Sequence, residues 1–272
     1  MPELPEVETT CRGIRPHILN QTVEQIVVRE HRLRWPVTGD WIAALPGAVV
    51  TQVWRRGKYI LLDTTYGTLI LHLGMSGSLR ITTPEMPPRR HDHIDLVFAH
   101  GVCLRFHDPR RFGCLLWTET NPAQHPLLAE LGPEPLAADF TGDYLAARAD
   151  KRTQAIKTFI MDSHQVVGVG NIYANEALFR AGINPARPAG QLSGSDHERL
   201  SAAIRSVLAA AITMGGTTLR DFVNESGAPG YFSQTLMVYG RTGQACRVCG
   251  QAIQTTRLGQ RATYWCAVCQ KP

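Results

Sequence analysis

Four of the seven cysteines in this chain lie near its C-terminus, in two pairs that each have two residues between the cysteines. Cys246 and Cys249 form the first pair, Cys266 and Cys269 form the second, and 16 residues separate the pairs. Each pair can supply two thiolates from a tight turn, while the residues between the pairs form a hairpin; this spacing is typical of a tetrahedral zinc site. Redox dithiols are the alternative, but they usually occur as one CxxC motif at a helix start. The spacing therefore predicts a hairpin that binds one structural Zn2+, with no open position for water.

Basic residues are concentrated at the same end of the chain. The formal net charge is +5, from 28 lysines and arginines against 23 acidic residues. Residues 241–272 account for the whole excess, because they contain no acidic residue and five basic ones: Arg241, Arg247, Arg257, Arg261 and Lys271. A basic patch of this kind is typical of proteins that bind a polyanion such as a nucleic acid.

The length and composition exclude several classes of protein. A chain of 272 residues exceeds the roughly 150 residues of one domain, so we expect two domains that each bury a core. With 44% hydrophobic and 19% charged residues, the chain is not disordered. No run approaches the ~18 apolar residues of a membrane span, and Glu3, Glu6 and Glu8 stand where a secretion signal would be basic and then apolar. We expect a soluble, intracellular protein with no membrane segment.

The N-terminal half has a β-rich pattern. Short apolar runs follow one another between Val23 and Phe112, with turn residues between them and no helices. This pattern predicts an antiparallel sandwich or barrel. Pro5 is placed for the first turn of a helix that precedes this β-rich region. Gly13 and Pro16 predict that the helix is short.

The pattern becomes helical after the Pro- and Gly-rich residues 131–135. Ser195 and Glu198 have the spacing of a capping box ahead of an amphipathic helix, which Gly215 and Gly216 end. The expected domains are an N-terminal catalytic domain at 1–131, a helical domain at 132–235 and the cysteine hairpin at 236–272.

The first residues of the chain have the composition of a nucleophilic site. If Met1 is removed, Pro2 presents a secondary amine with a pKa of ~8, against ~10.4 for lysine. A useful fraction of this amine is therefore uncharged, and so nucleophilic, at neutral pH. Attack on a sugar C1′ would give an iminium ion that acidifies the neighbouring C2′–H. Glu3 and Glu6 lie within a turn of this amine, so one carboxyl can act as a general acid while the other stays ionised. On these residues alone, an ordinary helix start with favourable acidic residues is the simpler interpretation.

Other motifs occur along the whole chain, in a fixed order. They are PELPEVET at 2–9, RRGKYILL at 55–62, LHLGMSGSLR at 71–80, HDHIDL at 91–96, DPRRFG at 108–113, VVGVGNIYANE at 166–176, GGTTLRDF at 215–222, PGYF at 229–232 and VYGR at 238–241, followed by the four cysteines. In these motifs and their order the chain resembles the formamidopyrimidine-DNA glycosylase (Fpg or MutM) family.

The resemblance implies a fold and a function. The fold is α+β: an N-terminal β-sandwich flanked by helices, and a C-terminal helix-two-turn-helix domain with a four-cysteine zinc hairpin. The function is that of a bifunctional glycosylase and AP lyase, which removes oxidised purines from damaged double-stranded DNA. We expect a monomer in the bacterial cytosol.

Two other functions are compatible with parts of the sequence. An endonuclease VIII-type enzyme would remove oxidised pyrimidines with the same nucleophile, and a zinc-hairpin DNA-binding protein would have no activity. The opening PELPEVE and the segment 217–232 favour the oxidised-purine enzyme over the first. Pro2, Glu3 and Lys58 together argue against the second, since a binding module needs none of them.

The resemblance also implies roles for individual residues. Pro2 is the Schiff-base nucleophile, Glu3 the proton donor in base release and Glu6 a supporting carboxylate. Lys58 contacts the phosphate beside the lesion and donates a proton in β-elimination, and Arg261 does so in δ-elimination.

A second group of residues is expected to contact DNA. Met75, Arg110 and Phe112 would enter the gap left by the flipped nucleotide; core packing for Met75 and Phe112 and a salt bridge for Arg110 are the alternatives. The expected backbone contacts come from further polar residues: His91, Arg111, Arg152, Lys157 and Asn171.

Overall fold

The computed structural model describes residues 1–216 and 235–271. The segment 217–232, which the sequence analysis linked to oxidised purines, lies outside these residues. The chain forms two compact units, one of Met1–Ala129 with Met214–Ser233 and the other of Glu130–Thr213 with Gln234–Pro272. The first is mainly β and the second mainly helical, so the expected α+β class is confirmed.

The first unit begins with helix α1, Leu4–Ile18. The prediction of a short helix is wrong, because α1 continues through Gly13 and Pro16 for 15 residues. Gly13 and Pro16 each lower the stability of the helix, but burial of one apolar face offsets this loss and stabilises the helix along its whole length. The buried residues of this face are Val7, Cys11, Ile14 and Ile18.

Two four-stranded antiparallel sheets follow α1. The elements of the first unit are β1 Val23–Val28, the short helix α2 Trp41–Ala44, β2 Val50–Arg56, β3 Tyr59–Thr64, β4 Thr68–His72, β5 Ser78–Thr82, β6 Asp92–Phe98, β7 Cys103–His107, β8 Cys114–Thr118 and the short helix α3 Pro126–Ala129. One sheet has the order β1-β6-β7-β5 and the other β2-β3-β4-β8. Apolar side chains from both sheets and from α1 share one buried core, which makes this unit a sandwich.

The second unit consists of helices and one hairpin. Its elements are α4 Gly142–Ala149, α5 Ile156–Met161, α6 Asn171–Ala181, α7 Gly194–Thr213, β9 Gln254–Leu258 and β10 Arg261–Trp265. Within the described residues, every helix is too short or too polar to cross a membrane.

The capping box of α7 is displaced from its expected position. Ser193 Oγ accepts the Asp196 N–H at 3.1 Å, and Asp196 Oδ2 accepts the Ser193 N–H at 2.9 Å. The expected box at Ser195 and Glu198 is therefore wrong by two residues. Asp at the third position performs the role that Glu usually has.

A buried ion pair links two strands of the β1-β6-β7-β5 sheet. Arg105 on β7 is 1% exposed and forms two hydrogen bonds with Asp95 on β6, at 2.8 and 2.9 Å. Arg29 Nη2 donates to the same carboxylate at 2.6 Å. Burial raises the pKa of Asp95, but the two guanidinium groups outweigh it and leave this pKa below its usual value.

Arg105→Met is expected to lower the free energy of unfolding by about 3–5 kcal/mol, because it removes one partner of a buried charge pair. Asp95 contributes stability above its unfolded pKa of about 3.9, and that stability is lost as the pH falls through the lower folded pKa. The variant should therefore lose less stability than the wild type on acidification. Urea unfolding at pH 7 and below pH 4 measures both effects, and unchanged stability at pH 7 would contradict the importance of the pair.

Candidate active site and metal centre

The N-terminus of α1 brings two buried carboxyl groups together. Glu3 is 2% exposed and Glu6 1% exposed. The Glu3 N–H donates to Glu6 Oε2 at 2.8 Å, while the Glu3 side chain reaches the backbone of Glu6 to complete a capping box. Pro2 is buried directly before this box. The helix start and the candidate nucleophilic site are thus the same structure.

Gly216 also contacts this site, a role that the sequence analysis missed. A Cβ atom built on Gly216 would lie 3.0 Å from Glu6 Oε1, and the residue has a φ of +85°. Glycine is the residue that tolerates both this close approach and this backbone conformation. In the sequence, Gly215 and Gly216 indicated only the end of a helix.

Lys58 lies in the two-residue turn between β2 and β3, next to Gly57, which has a φ of +57°. The turn is connected to α1 through Arg55, whose Nη1 donates to the Gly57 carbonyl at 2.9 Å and whose Nε donates to Glu8 at 3.1 Å. Burial of Glu8 raises its pKa, but the hydrogen bonds from Arg12 and Arg55 outweigh burial and leave the pKa below its usual value. Glu8 is therefore ionised and holds Arg55 against α1.

His72, at the end of β4, is a second residue that the sequence analysis missed. Burial, together with the positive charges of Lys58 and Arg34, lowers the pKa of His72 to about 4. The ring is therefore neutral at pH 7, and Nδ1 accepts the Gly74 N–H at 2.9 Å. His72 thus fixes the backbone just before Met75.

The expected gap-filling residues lie on two loops of the first unit. Met75 is half-buried, whereas Phe112 is 46% exposed, which argues against core packing for Phe112. The Arg110 guanidinium lies over the Phe112 ring, 4.9 Å from its centroid. An exposed aromatic ring and a guanidinium group are thus already stacked in the protein.

His91 and Arg111 lie near the same loops. Partial burial and nearby positive groups, chiefly Arg90, lower the pKa of His91, so its ring is neutral at pH 7 and would donate an N–H to a phosphate. Arg111 Nη1 is paired with Glu30 at 3.0 Å. A phosphate contact by Arg111 would replace or share this pair.

The second unit places Arg152 and Asn171 differently from Lys157. Arg152 is exposed, and Asn171 is the first residue of α6, where N–H groups favour an anion. Asn171 Oδ1 has no hydrogen-bond partner within the described residues. Lys157 is 1% exposed, and its Nζ donates to the Ala262 carbonyl and Thr263 Oγ1, each at 2.8 Å. This burial does not fit the expected DNA contact of Lys157, since its ammonium group is enclosed against the hairpin.

The four terminal cysteines have the geometry of a metal centre. Their sulfur atoms all lie within 4.8 Å of one another, with Cys249 and Cys266 at 3.4 Å and Cys246 and Cys269 at 3.9 Å. Tetrahedral Zn–S bonds of about 2.3 Å place two sulfur atoms about 3.8 Å apart. The cysteines therefore fit one zinc ion.

Arg261 is exposed at the tip of the hairpin formed by β9 and β10. The loop residues Gly259 and Gln260 have φ values of 52° and 61°, as in a type I′ turn. Arg261 is the first residue after the turn and pairs with Leu258. A short, regular turn thus fixes the position of the arginine backbone.

The hairpin is attached to α6 by two polar side chains. Asn175 Oδ1 accepts the Tyr264 N–H at 2.8 Å. Burial raises the pKa of Glu176, although its carboxylate accepts the N–H groups of three successive residues, Met237, Val238 and Tyr239. These bonds join the metal centre to the helices of the second unit.

The candidate residues are divided between the two units. Pro2, Glu3, Glu6 and Lys58 belong to the first, as do Met75, His91 and residues 110–112. Arg152, Lys157, Asn171, Arg261 and the four cysteines belong to the second.

Family models match three successive stretches of the chain. They are the formamidopyrimidine-DNA glycosylase N-terminal domain over residues 1–115, the formamidopyrimidine-DNA glycosylase H2TH domain over 131–223, and a zinc finger found in FPG and IleRS over 243–272. The last match assigns the four cysteines as a structural zinc site, as expected from their spacing.

Two curated relatives match the chain along its full length. The formamidopyrimidine-DNA glycosylase of Methylococcus capsulatus is 65% identical over 271 residues, and that of Xanthomonas campestris is 57% identical over 272 residues. Each alignment covers 100% of both chains.

Solved structures with the same fold include the MutM (Fpg) protein of Thermus thermophilus, with a TM-score of 0.89, 39% identity and 100% of both chains covered. Two complexes of Lactococcus lactis Fpg, one with DNA containing Fapy-dG and one with DNA containing an abasic site, each have a TM-score of 0.91 and 34% identity, and cover 99% of this chain and 100% of the other. From the domain matches and the full-length identities, the chain belongs to the formamidopyrimidine-DNA glycosylase family.

Proposed function

We propose that this chain is a base-excision-repair DNA glycosylase with AP lyase activity, which removes oxidised purines from double-stranded DNA. Its full-length relatives are named for the glycosylase activity, and Fpg complexes of the same fold hold DNA with Fapy-dG or an abasic site. Within the chain, the observation that carries the proposal is the buried pair of carboxyl groups beside Pro2. We further propose that it acts as a monomer in the bacterial cytosol, with catalysis in residues 1–131, DNA binding in 132–235 and the zinc hairpin in 236–272.

The first step is attack by the Pro2 nitrogen on C1′ of the damaged nucleoside. The N–C1′ bond forms as the bond from C1′ to the base breaks, and the base leaves with a proton from Glu3. The attacking nitrogen then loses its proton, the C1′–O4′ bond breaks as O4′ takes up a proton, and the ring-opened sugar carries an iminium ion between C1′ and the nitrogen. This step requires removal of Met1, because an amide nitrogen is not nucleophilic.

Strand cleavage follows from the positive charge of the iminium ion. Loss of a C2′ proton expels the 3′ phosphate by β-elimination, and loss of a C4′ proton expels the 5′ phosphate by δ-elimination. Lys58 and Arg261 are the proposed proton donors to these leaving groups. Water finally hydrolyses the Schiff base and releases the sugar remnant.

Glu3 and Glu6 have different roles in this proposal. In the capping box each carboxyl group accepts the backbone N–H of the other residue, so the assignment of Glu6 as the supporting carboxylate rests on the family resemblance. Glu3 is then the carboxyl that delivers a proton to the leaving base.

DNA binding requires the damaged nucleotide to leave the stack, at a cost of a few kcal/mol. Met75, Arg110 and Phe112 are proposed to fill the gap with an apolar wedge, a donor to the orphaned base and an aromatic face. Backbone contacts come from His91, Arg111, Arg152 and Asn171. Lys157, given its burial, is proposed to support the hairpin.

Pro2→Gly, or retention of Met1, is expected to abolish or severely reduce borohydride trapping on DNA containing 8-oxoguanine. Affinity for DNA with a tetrahydrofuran abasic analogue should be largely retained, because the amine forms a bond and contributes little to phosphate contact. Trapping yield and Kd are measured on the same preparations, with the N-terminus verified by mass spectrometry. Parallel trapping on an oxidised pyrimidine tests the endonuclease VIII alternative. Efficient trapping with Met1 in place would contradict the proposed nucleophile.

Cys249→Ser is expected to lower zinc content, DNA affinity and strand cleavage together, since loss of one thiolate opens the site and disorders the hairpin that carries Arg261. Val268→Ser is the matched control, because Val268 lies between two zinc-binding cysteines but is 53% exposed. Zinc analysis and DNA titration measure the effect. Normal DNA binding by a zinc-free protein would refute this role of the metal.

Arg261→Ala is expected to lower the slope of log K against log[salt] by about one unit, as one phosphate contact is lost. Products should shift from a gap with phosphates at both ends toward strands that keep the unsaturated sugar remnant, while base release changes less. Arg257→Ala, in the neighbouring strand position opposite Ala262, is the charge-matched control and should leave the product ratio unchanged. An unchanged slope and product ratio in Arg261→Ala would make it a solvated surface residue.

A further inference from the structure

Asp108 is fully buried directly after β7, and its carboxylate accepts three hydrogen bonds. Ser76 Oγ donates to Oδ1 at 3.1 Å, the Arg110 N–H donates to Oδ1 at 3.3 Å, and the Gly113 N–H donates to Oδ2 at 2.8 Å. The sequence analysis assigned no role to this aspartate. Its three donors come from both loops that carry the proposed gap-filling residues.

The two loops follow β4 and β7. The first, at residues 73–77, contains Met75 and Ser76; the second, at residues 109–113, contains Arg110 and Phe112. In the part of the chain that the structure describes, the Asp108 carboxylate is a side-chain anchor that the two loops share.

The backbones of the two loops are also in direct contact. A Cβ on Gly74, which has a φ of +63°, would lie 2.4 Å from the Gly113 nitrogen, and a Cβ on Gly113 would lie 2.7 Å from the His72 carbonyl. Side chains at these positions would force the loops apart. One loop therefore cannot move far without displacing the other.

The main chain of Asp108 is fixed as well. Its carbonyl accepts a hydrogen bond from His93 Nε2 at 2.8 Å, and its N–H donates to the His91 carbonyl at 3.0 Å. Asp108 is thus attached to the sheet through β6 while its carboxylate reaches both loops.

We propose that Asp108 is a positioning residue, which holds Met75, Arg110 and Phe112 in one preformed arrangement before DNA arrives. This inference rests on the proposed gap-filling role of those three side chains. Ordering loops and side chains during binding weakens affinity, so loops that are ordered in the free protein bind more tightly. Asp108 would therefore increase the preference for damaged over undamaged DNA, since undamaged DNA offers no gap.

The carboxylate is required because it offers acceptors only. In Asp108→Asn, the amide NH2 group would face either the Gly113 N–H or the donors from Ser76 and Arg110, so at least one buried donor loses its acceptor. Ser76→Ala is a milder change, which removes one hydrogen bond and leaves the Asp108 side chain in place. It remains informative if Asp108→Asn does not fold.

The experiment measures Kd for a duplex with a tetrahydrofuran abasic analogue and for the undamaged duplex, and compares their ratio. Asp108→Asn is expected to reduce this preference about tenfold and Ser76→Ala about threefold. Asp63→Asn is the control, because Asp63 accepts hydrogen bonds from Trp54 and Thr68 and belongs to neither loop. It should keep the wild-type ratio.

A double-mutant cycle with Met75→Ala separates positioning from general stability. If Asp108 acts through Met75, Met75→Ala should reduce the preference less in the Asp108→Asn background than in the wild type. The positioning role would be overturned if Met75→Ala and Asp108→Asn change the preference independently of each other. It would also be overturned if both Asp108→Asn and Ser76→Ala keep the wild-type preference. If Met75→Ala, Arg110→Ala and Phe112→Ala each leave the wild-type preference intact, the gap-filling proposal itself fails, and the positioning role fails with it.

Discussion

The hydrogen bond from the Glu3 N–H to the Glu6 carboxylate fixes the start of α1, and the proposed chemistry depends on that start. It places two buried carboxyl groups beside Pro2 without any catalytic loop. The apolar face of α1 keeps this end of the helix in place by packing into the core of the sandwich.

The hairpin of the second unit depends on metal ligation, although the helices of that unit bury an apolar core of their own. The small cluster around the cysteines contains Phe179, Val238 and Ile253, too few apolar residues to fix a hairpin. Zinc and the polar bonds from Lys157, Asn175 and Glu176 supply the missing constraint. The result is an exposed arginine on a short, regular turn. The two units thus position reactive groups by different physical means.

Periodic and spacing patterns predicted the fold well, and side-chain geometry was much harder to predict. The cysteine spacing indicated the metal site, and the short β runs indicated a sandwich or barrel, because each depends on local sequence; the family resemblance then favoured the sandwich. The length of α1 was wrong since burial outweighed the propensities of Gly13 and Pro16. Lys157 was expected at the DNA, and His72 and Asp108 had no predicted role, because burial and partners distant in sequence decide the role of a polar residue. Gly216 indicated only a helix end until its contact with Glu6 was seen.

The most direct test of the proposed nucleophile is the identity of the atom that is bonded to DNA after reduction. Borohydride-trapped complexes can be digested with protease and nuclease, and the modified peptide sequenced by mass spectrometry. The expected result is a sugar remnant on the nitrogen of a peptide that begins at Pro2, with Met1 absent. A remnant on Lys58, or on any peptide that retains Met1, would contradict the central role of Pro2.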